Sequence, residues 1–293
     1  MTVKATGAAE VPSFRAVGVT FTVAAAHHDV RAHLLEVLHA FRAPVDPARV
    51  YTVLDRVEGT RREFELHLDD HHLMSSTSAS EVVRDLVRSL NREVVSASPE
   101  LVFLHASAVE LGGAAAIFPA SMESGKTTLA AGLTRAGLRY VTDELVAVDP
   151  AGMVIRPYPK PFSLDPGSWP LFAEARPAAP DELLDIQWQV PPSAFGPESV
   201  AAECRPGVVV FPRYEQGVET ALYPMSPAEA MMTLAGNALN LRESGATGAR
   251  TLAEIADRCP AYRLDVGDLD EACRLVFDLL GVERPAILAG DAR

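Results

Sequence analysis

The sequence predicts an α/β fold built around a strand, a short loop and a helix that follow one another directly. An apolar run at residues 114–118 indicates a buried strand. The loop after it contains small and polar residues and ends in Gly125-Lys126-Thr127. Leu129 and Leu133 then recur at helical spacing. A strand that runs through a loop into a helix is typical of α/β folds.

The loop predicts a site for phosphate groups. In loops of this kind, backbone N–H groups and the helix N-terminus converge on an anion, a lysine reaches the β- and γ-phosphates of a nucleotide, and a hydroxyl ligates Mg²⁺. Ala120 stands where the usual pattern has its first glycine, and alanine disfavours positive φ. A turn that caps an ordinary helix is the alternative. The predicted nucleotide contacts are Ala120, Ser121, Met122, Glu123, Ser124, Gly125, Lys126, Thr127 and Thr128.

The chain is acidic, with 26 basic against 39 acidic residues and a formal net charge of -13. Long-range repulsion therefore disfavours nucleic-acid partners. No apolar run is long enough to cross a bilayer, and the first residues lack the pattern of a secretory signal. Cys204, Cys259 and Cys273 show neither paired nor metal-ligand spacing. We therefore expect a cytoplasmic protein without membrane partners, and a homo-oligomer is compatible with the sequence.

Residues 1–98 predict a small α+β domain that precedes a P-loop domain at residues 99–293. A loose start at residues 1–12 leads into this first domain. Hydrophobic alternation predicts strands at 14–24, 50–55 and 64–68. Asp29 predicts the start of one helix, and a capping box formed by Ser78 and Glu81 predicts the start of another.

The first domain holds seven of the eight histidines, including the adjacent pairs His27-His28 and His71-His72. Metal binding is one interpretation of these pairs. However, no His, Cys or carboxylate partner stands at ligand spacing from either pair. The sequence therefore favours solvated loop histidines.

Two features of the second domain flank the loop. A short apolar strand at 101–106 carries His105, and Gly112-Gly113 predicts a hairpin turn into the strand before the loop. A strand at 138–142 ends in Asp143-Glu144. Nucleotide phosphotransferases place an acid at this point to hold Mg²⁺ or to take a proton from the acceptor hydroxyl. An ordinary polar strand end is the alternative.

Two later cations are candidates for phosphate binding. Lys160 lies in a proline-rich stretch and either points at a phosphate or is solvated. Arg213 follows a buried strand at 208–211 and either supplies charge to the transferred phosphoryl group or lies at the surface. Between them, residues 181–188 predict a short helix or an irregular flap.

The C-terminal part carries clear helix-start signals. Ser226, followed by proline and by Glu229, predicts a helix that continues to Leu241. A strand at 262–266 and a last helix capped by Asp268 follow, and residues 286–293 predict a frayed tail.

The spacing of the candidate residues resembles that of a known family. His105, Lys126 at 21 residues beyond it, and Asp143-Glu144 at 17 and 18 residues beyond the lysine look like the HPr kinase/phosphorylase C-terminal domain. The likeness is greatest to HPr-kinase-like proteins of bacterial peptide natural-product clusters, some of which phosphorylate a serine of a lasso precursor peptide. It covers roughly residues 100–285. The segments that carry it are Leu104-His105-Ala106, Ser124-Gly125-Lys126-Thr127-Thr128, Tyr140-Val141-Thr142-Asp143-Glu144 and Tyr158-Pro159-Lys160-Pro161.

The resemblance implies a P-loop kinase core of the HPr kinase/phosphoenolpyruvate carboxykinase type, preceded by a small N-terminal α+β domain. It implies that the loop and Lys126 bind the phosphates of ATP, and that Thr127 and Asp143 hold Mg²⁺. His105 would lie beside the reacting group. The second acid is the proton acceptor in HPr kinase, which implies Glu144 here, with Asp143 as the alternative. An acidic-and-glycine signature of that family is not visible near residues 160–175.

Three functions remain open from the sequence. The first is an ATP-dependent kinase that phosphorylates a hydroxyl, such as a serine of a peptide or protein, including a ribosomally made precursor peptide. The second is a kinase for a small-molecule hydroxyl. The third is a nucleotide-binding regulator without catalysis, which the alanine at position 120 and the glutamate at position 144 keep open.

Overall fold

The computed structural model describes residues 12–120 and 124–281. Three of the predicted phosphate contacts, Ser121, Met122 and Glu123, lie outside the described residues. So do most of the predicted loose start and all of the predicted tail. Within the described part of the chain, no helix is both long enough and apolar enough to span a membrane.

A five-stranded sheet occupies the N-terminal part of the chain, in the order β1-β2-β3-β4-β5. Its strands are β1 Ser13–Ala16, β2 Val19–Ala25, β3 Arg49–Glu58, β4 Arg61–Leu68 and β5 His71–Ser76. Strands β2 and β3 are parallel, and the other neighbours are antiparallel. Helices α1 His28–Val37 and α2 Ala79–Ala97 pack on it and share its apolar core. The Ser78 hydroxyl accepts the Glu81 N–H, which confirms the predicted start of α2, but the predicted capping box is only half formed because the Glu81 carboxylate accepts from the Ser76 hydroxyl instead.

The structure corrects three predictions in this region. The strand predicted at 14–24 is a hairpin, because Val17 adopts a φ of 53° and reverses the chain next to Gly18. Phe14 and Ala16 are buried before the turn and Val19, Phe21 and Val23 after it, so the hydrophobic alternation changes from even to odd positions at the turn. Asp29 is not the cap of α1, which begins at His28 with no side-chain cap. The His71-His72 pair begins strand β5 rather than lying in a loop, although both side chains are exposed.

A second, eight-stranded sheet carries the predicted phosphate loop. Its main path is β10-β9-β6-β7-β13-β15-β14, and β8 pairs with β6 beside this path. The strands are β6 Val102–Leu111, β7 Ala114–Pro119, β8 Arg139–Thr142, β9 Leu145–Asp149, β10 Val154–Arg156, β13 Arg205–Tyr214, β14 Ala221–Met225 and β15 Ala261–Val266. The predicted hairpin at Gly112-Gly113 joins β6 to β7. Because β7, β13 and β15 are parallel while the outer pairs are antiparallel, the sheet is mixed and the predicted α/β class is confirmed.

Helices cover both faces of this sheet. Helices α3 Lys126–Arg135 and α6 Leu269–Leu279 pack on one face, and α4 Pro227–Gly236 and α5 Leu241–Arg258 pack on the other. A two-stranded antiparallel sheet, β11 Phe162–Leu164 and β12 Trp188–Val190, lies beside α3. Of the residues 181–188, for which the sequence predicted a short helix or an irregular flap, only 181–183 form a 3-10 turn, and Trp188 begins β12.

The helix predicted from Ser226 to Leu241 ends early. The capping box of Ser226 and Glu229 is formed, but α4 stops at Gly236. Residues 237–240 instead lie along β6, where the Leu239 N–H donates to the Phe103 carbonyl at 2.8 Å. The Asn240 amide also bonds the backbone of Phe103 and Leu101. These long-range bonds outweigh the local helical preference, and the prediction also missed α5.

The imidazole of His33 gives the fold a measurable pH dependence. It is buried in α1, and neither ring nitrogen has a partner among the described residues. Burial lowers its pKa from 6.5 to about 4. The unfolded chain therefore takes up a proton at a higher pH than the folded chain does. We expect the free energy of unfolding to fall by roughly 3 kcal/mol from this residue alone as the pH drops from about 6.5 to about 4.

Urea unfolding at pH 7.0, 5.5 and 4.5 tests this expectation. His33→Leu removes the titrating group, so its stability is expected to depend less steeply on pH than that of the wild type. His39→Leu is the matched control, because His39 is exposed on the next turn of the chain. Equal slopes for the wild type and His33→Leu would show that His33 does not contribute to acid destabilisation.

Candidate functional site

The predicted loop connects the end of β7 to the start of α3, as the sequence pattern requires. Gly125 adopts a left-handed conformation with a φ of 84° immediately before the helix. A Cβ added at Gly125 would lie 3.2 Å from the Cβ of Tyr214. The Tyr214 N–H also donates to the Ser124 carbonyl at 3.1 Å. Both the backbone conformation and the close approach of β13 therefore favour glycine at this position.

Ala120 fits its position without backbone strain. Among the described residues, the non-glycine residues with positive φ are Val17, Asp69 and Met153. Ala120 is buried at the end of β7 and is not one of them. The conformational objection to an alanine at the first glycine of the pattern therefore does not apply.

Lys126 lies at the first turn of α3 and is only 7% exposed. Burial lowers the pKa of its ammonium group, and the negative charges of Glu144 and Asp143 partly oppose that effect. The acidic pair therefore lies within electrostatic range of the lysine. The structure thus brings together three of the residues that the sequence named as catalytic.

A cavity of about 630 Å³ extends from the loop along α3. This volume lies within the range of about 300–1,000 Å³ that is usual for small-molecule sites. Both Lys126 and Arg135 line the cavity, and the step of nine helical residues from one to the other corresponds to roughly 14 Å along the helix axis. Leu171, Val266 and Leu269 add apolar surface beyond the loop. The cavity is therefore suited to an elongated ligand with an anionic end at the loop.

Two kinds of hydrogen-bond donor, from the backbone and from a side chain, favour an anion at the loop end of this cavity. The first N–H groups of α3 have no acceptor within the helix, and Gly125 turns the chain towards them. The Ser124 hydroxyl is buried and has no hydrogen-bond partner among the described residues. A phosphate oxygen is a suitable acceptor for these groups.

Asp143 is the buried centre of a polar network. Its Oδ1 accepts hydrogen bonds from the Tyr140 hydroxyl at 3.0 Å and from the Lys160 ammonium at 2.5 Å. Its Oδ2 accepts the Ser163 N–H at 3.2 Å. Lys160 is 1% exposed and also donates to the Ser163 hydroxyl and the Pro161 carbonyl. Lys160 is therefore neither solvated nor directed into the cavity, and it holds the Asp143 carboxylate.

Glu144 pairs with His105 instead. The Glu144 Oε1 lies 3.1 Å from the Nδ1 of His105, and both side chains are partly exposed. Burial raises the pKa of Glu144, but the hydrogen bond with His105 and the positive charges of Lys160 and Lys126 outweigh it, so the net pKa lies below the usual value. Glu144 is therefore a carboxylate at neutral pH.

Of the remaining predicted residues, two line the cavity and one does not. Thr127 and Thr128 line the cavity, and the Thr128 hydroxyl contacts that of Ser168 at 2.8 Å. Arg213 precedes Tyr214 at the end of β13, where its side chain is 72% exposed and pairs with Glu215. Its placement matches the surface alternative, and its guanidinium is not among the groups that line the cavity.

Sequence reasoning missed several cavity residues, among them Ser163, Asp165 and Tyr214. Asp165 follows β11 and carries an exposed carboxylate whose Oδ1 accepts from the Gln187 amide at 2.8 Å. Its negative charge also acts on Lys126. The sequence Asp165-Pro166-Gly167 was a weak local signal for a functional turn. Only the packing of this turn against α3 distinguishes it from an ordinary surface turn.

The described residues contain no group of three His, Cys, Asp or Glu side chains arranged to hold a metal ion by themselves. Thr127 and Asp165 both line the cavity and carry side-chain oxygens of the kind that could contribute to a Mg²⁺ site. Such a site relies on phosphate oxygens for its remaining ligands. Asp143 fits this role less well, since both of its carboxylate oxygens already accept hydrogen bonds.

No model of a known protein family matches the chain, and no curated protein matches it. Among solved structures, the chain is similar to the HPr(Ser) kinase/phosphatase from Coxiella burnetii, with 9% sequence identity and a TM-score of 0.31. The match covers 61% of this chain and 93% of that chain. A TM-score of this size is too low to establish a common fold, so the function rests on the site itself.

Proposed function

We propose that the protein is an ATP-dependent kinase that transfers the γ-phosphoryl group of ATP to a hydroxyl, such as a serine of a peptide or protein. The single observation that carries this proposal is the meeting of an anion cradle and a carboxylate. The Gly125 turn, the start of α3 and Lys126 line the end of the cavity. Glu144, which pairs with His105, lies close enough to Lys126 for each charge to shift the pKa of the other group, and neither Glu144 nor His105 is among the residues that line the cavity.

Each group has a role in this proposal. The N–H groups at the start of α3 and the Ser124 hydroxyl bind phosphate oxygens, and Lys126 stabilises the charge that develops on the transferred group. The cavity beyond the loop holds the nucleoside. Glu144 and His105 orient the acceptor hydroxyl and receive its proton. The buried network around Asp143 and Lys160 fixes the strand end from which Glu144 projects.

Mg²⁺ belongs to this proposal as a cofactor, and Thr127 and Asp165 are the residues that would hold it. Asp143 is the second metal ligand that the sequence predicted, and it serves only if Lys160 releases it. When bound, Mg²⁺ neutralises phosphate charge during transfer.

The buried Asp143–Lys160 pair favours one further candidate, a regulator that binds nucleotide without catalysis. In that case the pair is structural, and no carboxylate contributes to turnover. Titration with Mg-ATP combined with a turnover assay separates the two functions. Mass spectrometry of serine-containing peptides and of small alcohols after incubation with ATP distinguishes a peptide kinase from a small-molecule kinase.

We expect Lys126→Ala to abolish ATP-dependent turnover while the fold is retained. The lysine is a point charge on the phosphates, whereas Leu129 and Leu133 hold α3 in the core. Lys126→Met keeps most of the side-chain volume and is expected to behave in the same way. Phosphate release from ATP measures the effect, and circular dichroism checks the fold.

Arg31→Ala is the control for this experiment, since Arg31 is an exposed cation on α1. It is expected to retain turnover. Wild-type turnover by Lys126→Met would contradict the assignment of the loop as a phosphate site.

A further inference from the structure

In the pair formed by His105 and Glu144, the Nδ1 of the imidazole is hydrogen-bonded to the carboxylate, and the Nε2 has no partner among the described residues. We propose that His105 is the general base that takes the proton of the acceptor hydroxyl on its Nε2, and that Glu144 is the residue that positions it. This inference rests on the proposed kinase function. The sequence predicted Glu144 or Asp143 as the proton acceptor, whereas this inference assigns the proton to His105.

The hydrogen bond fixes which nitrogen carries the proton. A carboxylate can only accept, so the Nδ1 of His105 donates to the Glu144 Oε1 across 3.1 Å. In a neutral imidazole this leaves the lone pair on Nε2. The part of the chain that the structure describes supplies no hydrogen-bond donor to Nε2, and the side chain is 19% exposed. Nε2 is thus left as an acceptor for a hydroxyl.

The fold places this imidazole on the correct face of the sheet. Along β6, Leu104 and Ala106 pack with the α4–α5 side, so His105 points to the opposite face, which carries α3. The backbone of His105 is held from both sides, by the Asn237 carbonyl at 2.8 Å and by pairing with Leu145 of β9. A base held on a central strand keeps its position between turnovers.

The carboxylates are less suited to act as the base directly. Asp143 is 1% exposed, and both of its oxygens accept hydrogen bonds. Glu144 would have to exchange its bond to His105 for one to the acceptor. The charged groups around the pair are Lys126 from α3, Lys160 from the segment before β11, and Asp143 from the end of β8.

The proposed step conserves atoms and electrons. The acceptor oxygen forms a bond to the γ-phosphorus while the bond from that phosphorus to the bridging oxygen of the nucleoside triphosphate breaks. The bonding electron pair leaves with the nucleoside diphosphate. The hydroxyl proton moves to the Nε2 of His105, and the resulting imidazolium is stabilised by the Glu144 carboxylate.

The test uses ATP as the donor and water as the acceptor, and follows phosphate release under single-turnover conditions. His105→Gly is expected to lose roughly 10²–10⁴-fold in rate with little change in ATP affinity. Added imidazole is expected to restore part of the rate, which a merely structural role would not produce. His39→Gly, which removes an exposed histidine, is expected to show neither the loss nor the response to imidazole.

His105→Gln provides a second variant that still reaches Glu144 but cannot take a proton, and we expect the same loss. A wild-type rate in His105→Gln, or a loss in His105→Gly that imidazole does not relieve, would overturn the assignment of His105 as the base. Failure of the kinase proposal looks different, because the wild type itself would then turn over ATP neither with water nor with the serine-containing peptides and small alcohols.

Discussion

Replacing Glu144 by glutamine is expected to lower the rate of the chemical step by roughly 10²–10⁴-fold, with little change in ATP affinity. The neutral amide removes the charge that stabilises a protonated His105. It can also donate to the Nδ1 of His105, which would place the imidazole proton on Nε2, where the lone pair is needed. Lys126 and the loop remain intact, so nucleotide binding is retained.

Single-turnover phosphate release, with ATP affinity measured separately by titration, checks this result. Glu144→Asp is the informative comparison, because it keeps the charge but is one methylene shorter and is not expected to reach the Nδ1 of His105. We expect it to be slow as well. If Glu144→Gln turns over at the wild-type rate, Glu144 neither positions His105 nor takes part in proton transfer.

The second large effect concerns stability. Asp143→Asn is expected to lower the free energy of unfolding by about 3–5 kcal/mol, because it leaves the buried ammonium of Lys160 without its counter-charge. Lys160→Met is expected to destabilise by a similar amount, since it leaves the buried carboxylate unpaired. The double variant removes both charges and is expected to be much more stable than the sum of the single losses predicts.

Urea unfolding of the four proteins at one pH measures this cycle. Single losses that add within about 0.5 kcal/mol would show that the two charges do not interact. An Asp143→Asn variant that folds with wild-type stability and loses only its Mg²⁺ dependence would return Asp143 to the metal role that the sequence predicted.

Signals that depend on neighbouring residues could be read from the sequence. The apolar strand, the glycine turn and the helix around Lys126 follow one another along the chain, so no distant contact was needed to predict them. The caps at Ser78, Ser226 and Asp268 act within three residues, and the structure forms all three. The α/β class follows from these local patterns, because the hydrophobic periodicity of each helix or strand indicates which of its faces is buried.

Tertiary structure decided the features that depend on residues far apart in the chain. The sequence left Lys160 with two exposed alternatives, but Lys160 is buried because Asp143, 17 residues earlier, supplies a charge for it. Helix α4 ends at Gly236 because β6, more than 130 residues earlier, accepts the following segment. The placement of Asp165 on the cavity wall and the contact of His105 with Glu144 likewise require the packed sheet. Local sequence carries the backbone preferences, whereas burial and charge pairing are set only when distant segments pack together.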